Sequence, residues 1–316
     1  MAPVTVFAGR VGQREVYQKH LTEAAAVAGV EIDLRMDPAD ADPASVDFLI
    51  YAPDGPVQDL APYTGLTAVL SLWAGIEKLL TIDPPPGDVS LTRMVDEGMT
   101  LGMIDYVVGH VLRHHLDIDR YIDASPTDRW ETDFSPLARE RTVGMLGLGA
   151  LGGACAERLA LNGFRVIGWS GSQKEIPGVE CRCGEAALDE TIAEAEILVL
   201  LLPWTDDTYH ILNARRIALM PLDACLINAA RGQLIDHQAL HEALNAGLLR
   251  HATMDVFEVE PLPPDETYWI HPRVTVTPHI ARATRPETAS QSLVAQIARH
   301  QRGESFLYVV DRARGY

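Results

Sequence analysis

Thr142-Val143-Gly144-Met145-Leu146-Gly147-Leu148-Gly149-Ala150-Leu151-Gly152 is the stretch that decides the fold of this chain. An apolar strand runs into a G-x-G-x-x-G turn, and the small residues Gly153-Ala154-Cys155-Ala156 open a helix behind it. Each glycine of the turn has a task. Gly147 permits the tight turn, Gly149 lets the backbone approach a pyrophosphate, and Gly152 lets the helix pack close to the strand. The helix start, with Ala150 and Leu151 in its first turn, presents free N–H groups and a positive dipole end to phosphates. The spacing alone also occurs in ordinary glycine-rich strand-to-helix turns. The strand before it and the helix after it favour dinucleotide binding.

Outward from this turn the chain alternates strand and helix. Downstream, Arg165–Trp169, Glu196–Leu202, Ala224–Asn228, His251–Asp255 and Val274–Thr277 read as buried strands. Upstream, Val4–Phe7, Glu31–Leu34, Phe48–Tyr51 and Ala68–Leu72 read the same way, with helical spacing over Gln13–Ala28. Near-continuous apolar runs separated by helices indicate parallel sheets covered on both faces. The expected class is α/β with two doubly wound domains and a cleft between them. A long helix is expected over Leu101–Asp123, followed by the polar stretch Ser125-Pro126-Thr127-Asp128. The last helical stretch, Glu287–Gln301, has no strand of its own in the second domain and is expected to return to the first. The expected boundaries are residues 1–98 plus 287–316 for one domain and 99–286 for the glycine-turn domain.

Composition narrows the function. The 316 residues are 47% hydrophobic and 22% charged, enough for a substantial core in about two domains. A formal net charge of −18 argues against nucleic acid or an anionic membrane as partner. An anionic ligand would need a local basic site working against that field. No apolar run approaches a bilayer span and no signal-like leader is seen, so the cytoplasm is the expected location. Cys155, Cys181, Cys183 and Cys225 read as reduced bystanders, since Cys181-Arg182-Cys183 has the wrong spacing for a C-x-x-C pair. His110/His114 and His237/His241 are each four apart on a helix but lack an H-E-x-x-H pattern. They are expected to be solvated or interface residues, and no metal is expected. Asp206-Asp207 reads as a loop or helix cap.

Ligands of such sheets bind outside the carboxyl ends of the strands, so polar residues there are the candidates. Asn228-Ala229-Ala230-Arg231-Gly232 follows one strand, Asp255-Val256-Phe257-Glu258-Val259-Glu260-Pro261-Leu262-Pro263 the next, and Thr277-Pro278-His279-Ile280 the last. Arg231 offers a planar fork for a carboxylate and a carbonyl oxygen. His279 can give a proton, because histidine ordinarily titrates near working pH. Glu260 can orient the imidazole and favour its protonated form. Taken singly, a surface arginine, a loop glutamate and a loop histidine are the plainer readings; their order and placement at strand ends favour a shared site.

With these residues in view, the chain resembles the D-2-hydroxyacid dehydrogenase family. The matching elements are Gly147-x-Gly149-x-x-Gly152, Asn228-x-x-Arg231-Gly232, Asp255-Val256-Phe257-x-x-Glu260-Pro261-Leu262-Pro263 and Pro278-His279-Ile280. Trp169-Ser170, Thr284-Arg285-Pro286 and Val310-Asp311-Arg312-Ala313-Arg314-Gly315-Tyr316 are most similar to the bacterial A-type glyoxylate/hydroxypyruvate reductase branch. The resemblance implies a Rossmann cofactor domain and a flavodoxin-like substrate domain, and reduction of small 2-oxo acids with Arg231, Glu260 and His279 as the catalytic set. It implies that the Trp73-Ala74-Gly75-Ile76 turn offers N–H groups to the substrate carboxylate, although it continues here as Glu77-Lys78. It further implies that Asp255 meets the nicotinamide carboxamide, that Ala230, Leu202 and Pro203 lie along the cofactor, and that Arg285 is a further basic residue at the site. An exposed helix-start arginine is the competing reading of Arg285. A homodimer with the Leu101–Asp123 helix near its interface is expected.

Cofactor choice rests on the end of the second strand of the glycine-turn domain. An Asp or Glu there would bind the ribose 2′-OH of NAD. This chain has Trp169-Ser170-Gly171-Ser172-Gln173-Lys174, with no carboxylate before Glu175. Ser170, Ser172 and Lys174 could receive a 2′-phosphate, so NADP is favoured over NAD. The margin is expected to be modest, because the resembling branch carries an arginine where Gly171 stands. A dinucleotide-sensing regulatory protein with little turnover is the competing function class, and a 2-oxo acid assay with both cofactors separates the two.

Overall fold

The computed structural model describes residues 2–76, 79–80, 85, 88–123, 130 and 135–312. The expected features at Glu77-Lys78, Ser125–Asp128 and Ala313–Tyr316 lie outside the described residues. The chain divides into two compact units, Met1–Met99 with Thr284–Tyr316, and Thr100–Ala283.

The first unit is built on five parallel strands, β1 (Val4–Ala8), β2 (Asp33–Arg35), β3 (Phe48–Tyr51), β4 (Ala68–Ser71) and β5 (Ser90–Thr92), in the order β2-β1-β3-β4-β5. This is the flavodoxin-like order, reversing between β1 and β3. Every residue of β3 and β4 is buried, as a strand covered on both faces requires. Helix α1 (Arg14–Ala28) buries Tyr17, Leu21, Ala24 and Ala25 and ends at Gly29, whose φ of +65° closes the helix. The C-terminal helix of this unit, Pro286–Gln301, packs along α1 with Leu293, Val294 and Ile297 buried. Beyond it, Val310 N–H bonds to the Leu91 carbonyl at 2.8 Å, so the chain end runs beside β5.

The second unit carries seven parallel strands: β6 (Thr142–Leu146), β7 (Arg165–Trp169), β8 (Val179–Arg182), β9 (Ile197–Leu200), β10 (Ala224–Asn228), β11 (Leu249–Met254) and β12 (Val274–Val276). Their order is β12-β11-β10-β9-β6-β7-β8, with the reversal between β6 and β9. That reversal is where a doubly wound sheet opens a crevice for a ligand. Alternate residues feed two cores, as a pleat of period two demands. Leu146, Leu198, Leu200 and Leu226 face one, with Leu188, Ile192 and Leu240 from the covering helices. Val143, Met145, Val199 and Ile227 face the other, with Met103, Val107, Val111 and Leu159.

Three sequence expectations change. The helix expected over Leu101–Asp123 is two helices, α2 (Glu97–His115) and α3 (Ile118–Asp123). The break comes at Asp117, with φ +52°, where Arg250 reaches in, pairing with the Asp117 carboxylate at 2.9 Å and donating to the His114 carbonyl at 2.6 Å. A cation there satisfies the orphan carbonyls of a helix end. His114 is neither solvated nor an interface residue: it is 1% exposed, with Nε2 3.0 Å from Thr253 Oγ1. Strands β5 and β8 have no counterpart in the reading above, because both are short edge strands without a long apolar run.

Candidate active site

The glycine turn follows β6 and enters α4 (Ala150–Leu161), whose N-cap is Gly149 and which no side chain caps. Gly147 takes φ +107°, and a Cβ there would lie 2.6 Å from the Leu201 carbonyl. At Gly152 a Cβ would fall 1.9 Å from the Gly147 oxygen, which explains the glycine at the helix–strand contact. Gly149 is the opposite case, with nothing within 4 Å of where its Cβ would stand. The first-turn N–H groups of Ala150, Leu151 and Gly152 have no intrahelical acceptor. A bare helix start, reached through an open glycine and lacking any carboxylate, fits a pyrophosphate. Leu202 and Pro203 follow β9 beside this turn, with Thr208 Oγ1 donating to the Pro203 carbonyl at 2.7 Å.

After β7 the chain enters the loop that carries Ser170, Ser172 and Lys174. Ser170 is 8% exposed and its hydroxyl donates to the Ser172 carbonyl at 2.7 Å. Gln173 ties the loop together, its amide donating to the carbonyls of Lys174 and Cys181, both at 3.1 Å. Ser172 and Lys174 stand exposed, and no carboxylate pairs with Lys174 among the described residues. The loop therefore offers a hydroxyl and a cation to an anionic group, while the Ser170 hydroxyl is already engaged within the loop.

The polar residues past β10, β11 and β12 come from three neighbouring strands of one sheet. At the end of β10, buried Asn228 shapes the turn: its Oδ1 accepts from Ala230 N–H at 3.1 Å and its Nδ2 donates to the Arg231 carbonyl at 2.9 Å. Arg231 donates through Nη1 to the Ala230 carbonyl at 2.6 Å. Gly232 presses against the next loop, where a Cβ would lie 2.1 Å from the Phe257 carbonyl carbon and 2.3 Å from Glu258 N. His237 adds support from below, with Nε2 at 3.1 Å from the Gly232 carbonyl.

Glu260 accepts from Phe257 N–H at 2.9 Å through Oε1 and meets His279 Nδ1 at 2.7 Å through Oε2. Burial works to raise this carboxyl. The hydrogen bonds from His279 and from Phe257 N–H, with the charges of His279 and Arg231, outweigh it and hold Glu260 below the usual carboxylate range. Its bond to Nδ1 leaves Nε2 of His279 as the nitrogen that can give or take a proton at a reacting oxygen. The imidazole side chain is 37% exposed.

His279 sits in a turn of left-handed backbone, φ +53°. The 1%-exposed Asp255 holds that turn. Its carboxylate accepts from Thr277 Oγ1 (2.6 Å), Ile280 N–H (2.9 Å) and Ala281 N–H (3.0 Å), while its carbonyl accepts from His279 N–H (2.8 Å). The internal roles of Asp255, Thr277 and His237 were not visible in the sequence; for Asn228 the fixed spacing from Arg231 was the one signal.

The remaining candidates lie in the first unit. Trp73 N–H donates to Ser71 Oγ at 3.0 Å, so the N–H groups that its turn can offer are those of Ala74, Gly75 and Ile76. Arg285 is exposed and is the N-cap residue of the Pro286–Gln301 helix.

A glycine turn of the dinucleotide-binding form, with a Glu–His pair and an arginine past neighbouring strands, is the arrangement a nicotinamide-dependent oxidoreductase calls for. The profile described as "D-isomer specific 2-hydroxyacid dehydrogenase, NAD binding domain" matches residues 108–281. The chain belongs to this family, whose members are oxidoreductases that bind NAD(P) and act on CH–OH groups. It is 38% identical over 274 residues to the glyoxylate/hydroxypyruvate reductase A of Yersinia enterocolitica, covering 85% of this chain and 87% of that one. Among solved structures it is similar to a D-isomer specific 2-hydroxyacid dehydrogenase from Xanthobacter autotrophicus Py2 in complex with NADPH and MES. That match has a TM-score of 0.92 and 37% identity, and it covers 100% of both chains. An NADPH-dependent glyoxylate/hydroxypyruvate reductase from Sinorhizobium meliloti, in complex with NADP and sulfate, gives a TM-score of 0.86 and 34% identity, again over 100% of both.

Proposed function

We propose that this protein reduces glyoxylate and hydroxypyruvate to glycolate and glycerate, with NADPH favoured over NADH. The observation that carries the reading is the 2.7 Å contact of Glu260, past β11, with His279 Nδ1, past β12, beside the strand β10 that Arg231 follows. Bound NADPH would supply a hydride to C2 of the 2-oxo acid. Arg231 binds the acid's carboxylate and carbonyl oxygen and polarises the carbonyl. His279 gives the Nε2 proton to that oxygen, and Glu260 keeps the imidazole oriented while it carries charge. In the first unit, the Ala74–Ile76 N–H groups of the Trp73 turn and the Arg285 guanidinium receive the substrate's anionic end. In the second, Gly147, Gly149, Ala150, Leu151 and Gly152 hold the pyrophosphate, and Leu202, Pro203, Ala230 and Asp255 line the rest of the cofactor. Ser172 and Lys174, with Ser170 shaping their loop, receive the 2′-phosphate. The division of labour is a substrate domain of residues 1–98 plus 287–316 and a cofactor domain of 99–286.

We further propose a homodimer, supported by Leu101, Leu116, Ile118 and Ile122, which are 47%, 44%, 38% and 61% exposed along α2, α3 and the break between them. No helix among the described residues is long and apolar enough to cross a membrane. Four free cysteines support a reducing compartment, the cytoplasm. The test is oxidation of NADPH and of NADH, followed by the loss of the reduced cofactor's absorbance, with glyoxylate, hydroxypyruvate and larger 2-oxo acids. The expected result is turnover with the two small acids and a higher kcat/KM with NADPH. Binding of NADPH without turnover on any 2-oxo acid would give the regulatory reading instead.

A further inference from the structure

The hydroxyl of Thr277 connects the turn that carries His279 to a residue far away in sequence. Thr277 Oγ1 lies 2.6 Å from Asp255 Oδ1 and 2.7 Å from the phenol oxygen of Tyr106, on α2. A proton count fixes the direction of both bonds. A carboxylate only accepts, so the single hydroxyl proton of Thr277 goes to Asp255. Thr277 Oγ1 must then accept, and the Tyr106 O–H is its donor. The chain Tyr106→Thr277→Asp255 runs one way and ends on the carboxylate that also holds the N–H groups of Ile280 and Ala281. Those two residues follow His279 directly, and His279 N–H itself bonds to the Asp255 carbonyl at 2.8 Å and the Thr277 carbonyl at 3.1 Å.

The arrangement has a physical purpose. His279 holds φ +53°, a conformation that L residues other than glycine adopt at a cost and keep only when their surroundings over-determine it. Glu260 fixes the imidazole through Nδ1 but not the backbone from which the ring projects. The backbone is fixed by Asp255, and Asp255 is held by Thr277. Tyr106 is anchored in turn by its ring, which packs against His110 with centroids 4.5 Å apart. Burial pushes the Tyr106 phenol well above its ordinary range, so it stays a donor at every working pH.

We propose that Tyr106 is a positioning residue for the reduction, acting through Thr277 and Asp255 to keep the His279 turn in its catalytic conformation. The proposal rests on His279 being the proton donor. It places a determinant of turnover on α2, outside the three strand-end loops and without contact to the reacting atoms.

The experiment compares Tyr106→Phe, Thr277→Val, Thr277→Ser and His279→Ala by steady-state kinetics, by NADPH fluorescence titration and by thermal unfolding. Tyr106→Phe keeps the ring packing and removes only the donor. It is expected to lower kcat by about 3- to 10-fold, with KM and NADPH affinity within about two-fold of wild type. Thr277→Val, which also strips a donor from Asp255 and strands the phenol, is expected to lose about 10- to 100-fold in kcat. Thr277→Ser restores the hydroxyl and should return most of the activity, which a purely steric role would not predict. Wild-type kcat in Tyr106→Phe, beside an inert His279→Ala, overturns the clamp alone. A His279→Ala enzyme as active as wild type overturns the assignment of the acid and the proposal with it.

Discussion

Gly232→Ala tests how tightly the site loops are locked together. The added methyl would stand 2.1 Å from the Phe257 carbonyl carbon, 2.3 Å from Glu258 N and 2.6 Å from the Phe257 Cα. All three are backbone atoms, so no side chain can swing away. Carbon atoms rest at about 3.5–4.0 Å, so the Phe257–Glu258 peptide must retreat by more than about 1 Å. Phe257 N–H is the donor that holds Glu260 Oε1, and Glu260 holds His279. Arg231 is the residue just before the methyl. One carbon therefore displaces both the arginine and the carboxylate that orients the acid. Overpacking of this kind costs about 1–3 kcal/mol of stability. A misplacement of about 1 Å in a catalytic group costs on the order of 10²-fold in turnover. Gly149→Ala is the control, because nothing lies within 4 Å of its Cβ position. It should lose less than about 1 kcal/mol of stability and act mainly by raising the NADPH Kd, where the methyl meets the pyrophosphate. Urea unfolding, kcat/KM and NADPH titration on both variants measure the contrast. Near-wild-type kcat/KM and stability in Gly232→Ala would refute the coupling of the two loops.

Further outcomes are expected at the acid–base pair, the cofactor loop and His114. His279→Ala should lose about 10²–10⁴-fold in kcat while binding NADPH almost normally, and Glu260→Gln should move the fading of reduction to lower pH, both read from pH–rate profiles. Lys174→Ala should weaken NADPH and spare NADH, and Ser170→Asp should shift preference toward NADH by breaking the Ser170–Ser172 contact and repelling a 2′-phosphate; equal Kd values for both cofactors in wild type would show that the loop does not select. Burial, with His251, His110, Arg250 and Arg113 nearby, pushes His114 down to about 2, so it stays neutral in the folded protein. The unfolded chain binds that proton below the ordinary value of 6.5, so stability should fall by about 1.4 kcal/mol per pH unit in acid, and His114→Leu should flatten the slope of urea-unfolding free energy against pH.

The elements legible in the sequence were those whose pattern is local. The β6–glycine turn–α4 unit, the strands Phe48–Tyr51, Arg165–Trp169 and Ala224–Asn228, and the family motifs all lie within short windows. The doubly wound parallel class was legible from those units, while the strand orders came from the structure. What escaped depends on contacts between distant residues. The break at Asp117 is set by Arg250, and the burial of His114 by Thr253. The motifs marked Arg231, Glu260 and His279 as candidates. They did not mark the Tyr106–Thr277–Asp255 chain, because no spacing rule links residues 171 positions apart. Gly232 was legible as a motif glycine, while its reason, the peptide pressed against it, was not.

The division of the chain into units also bears on the order in which a ribosome releases it. The second unit is one unbroken segment, Thr100–Ala283, so all seven of its strands are available before the last stretch is made. The first unit is interrupted: β1–β5 emerge early, but the Pro286–Gln301 helix that covers α1 and the Val310 contact that borders β5 come last. During synthesis α1 waits without the helix that packs along it while the segment of the other unit is made. The unit whose strands are made first is completed only after the other unit's segment has been made, and apolar surface left exposed in such an interval is what makes partly folded chains prone to association.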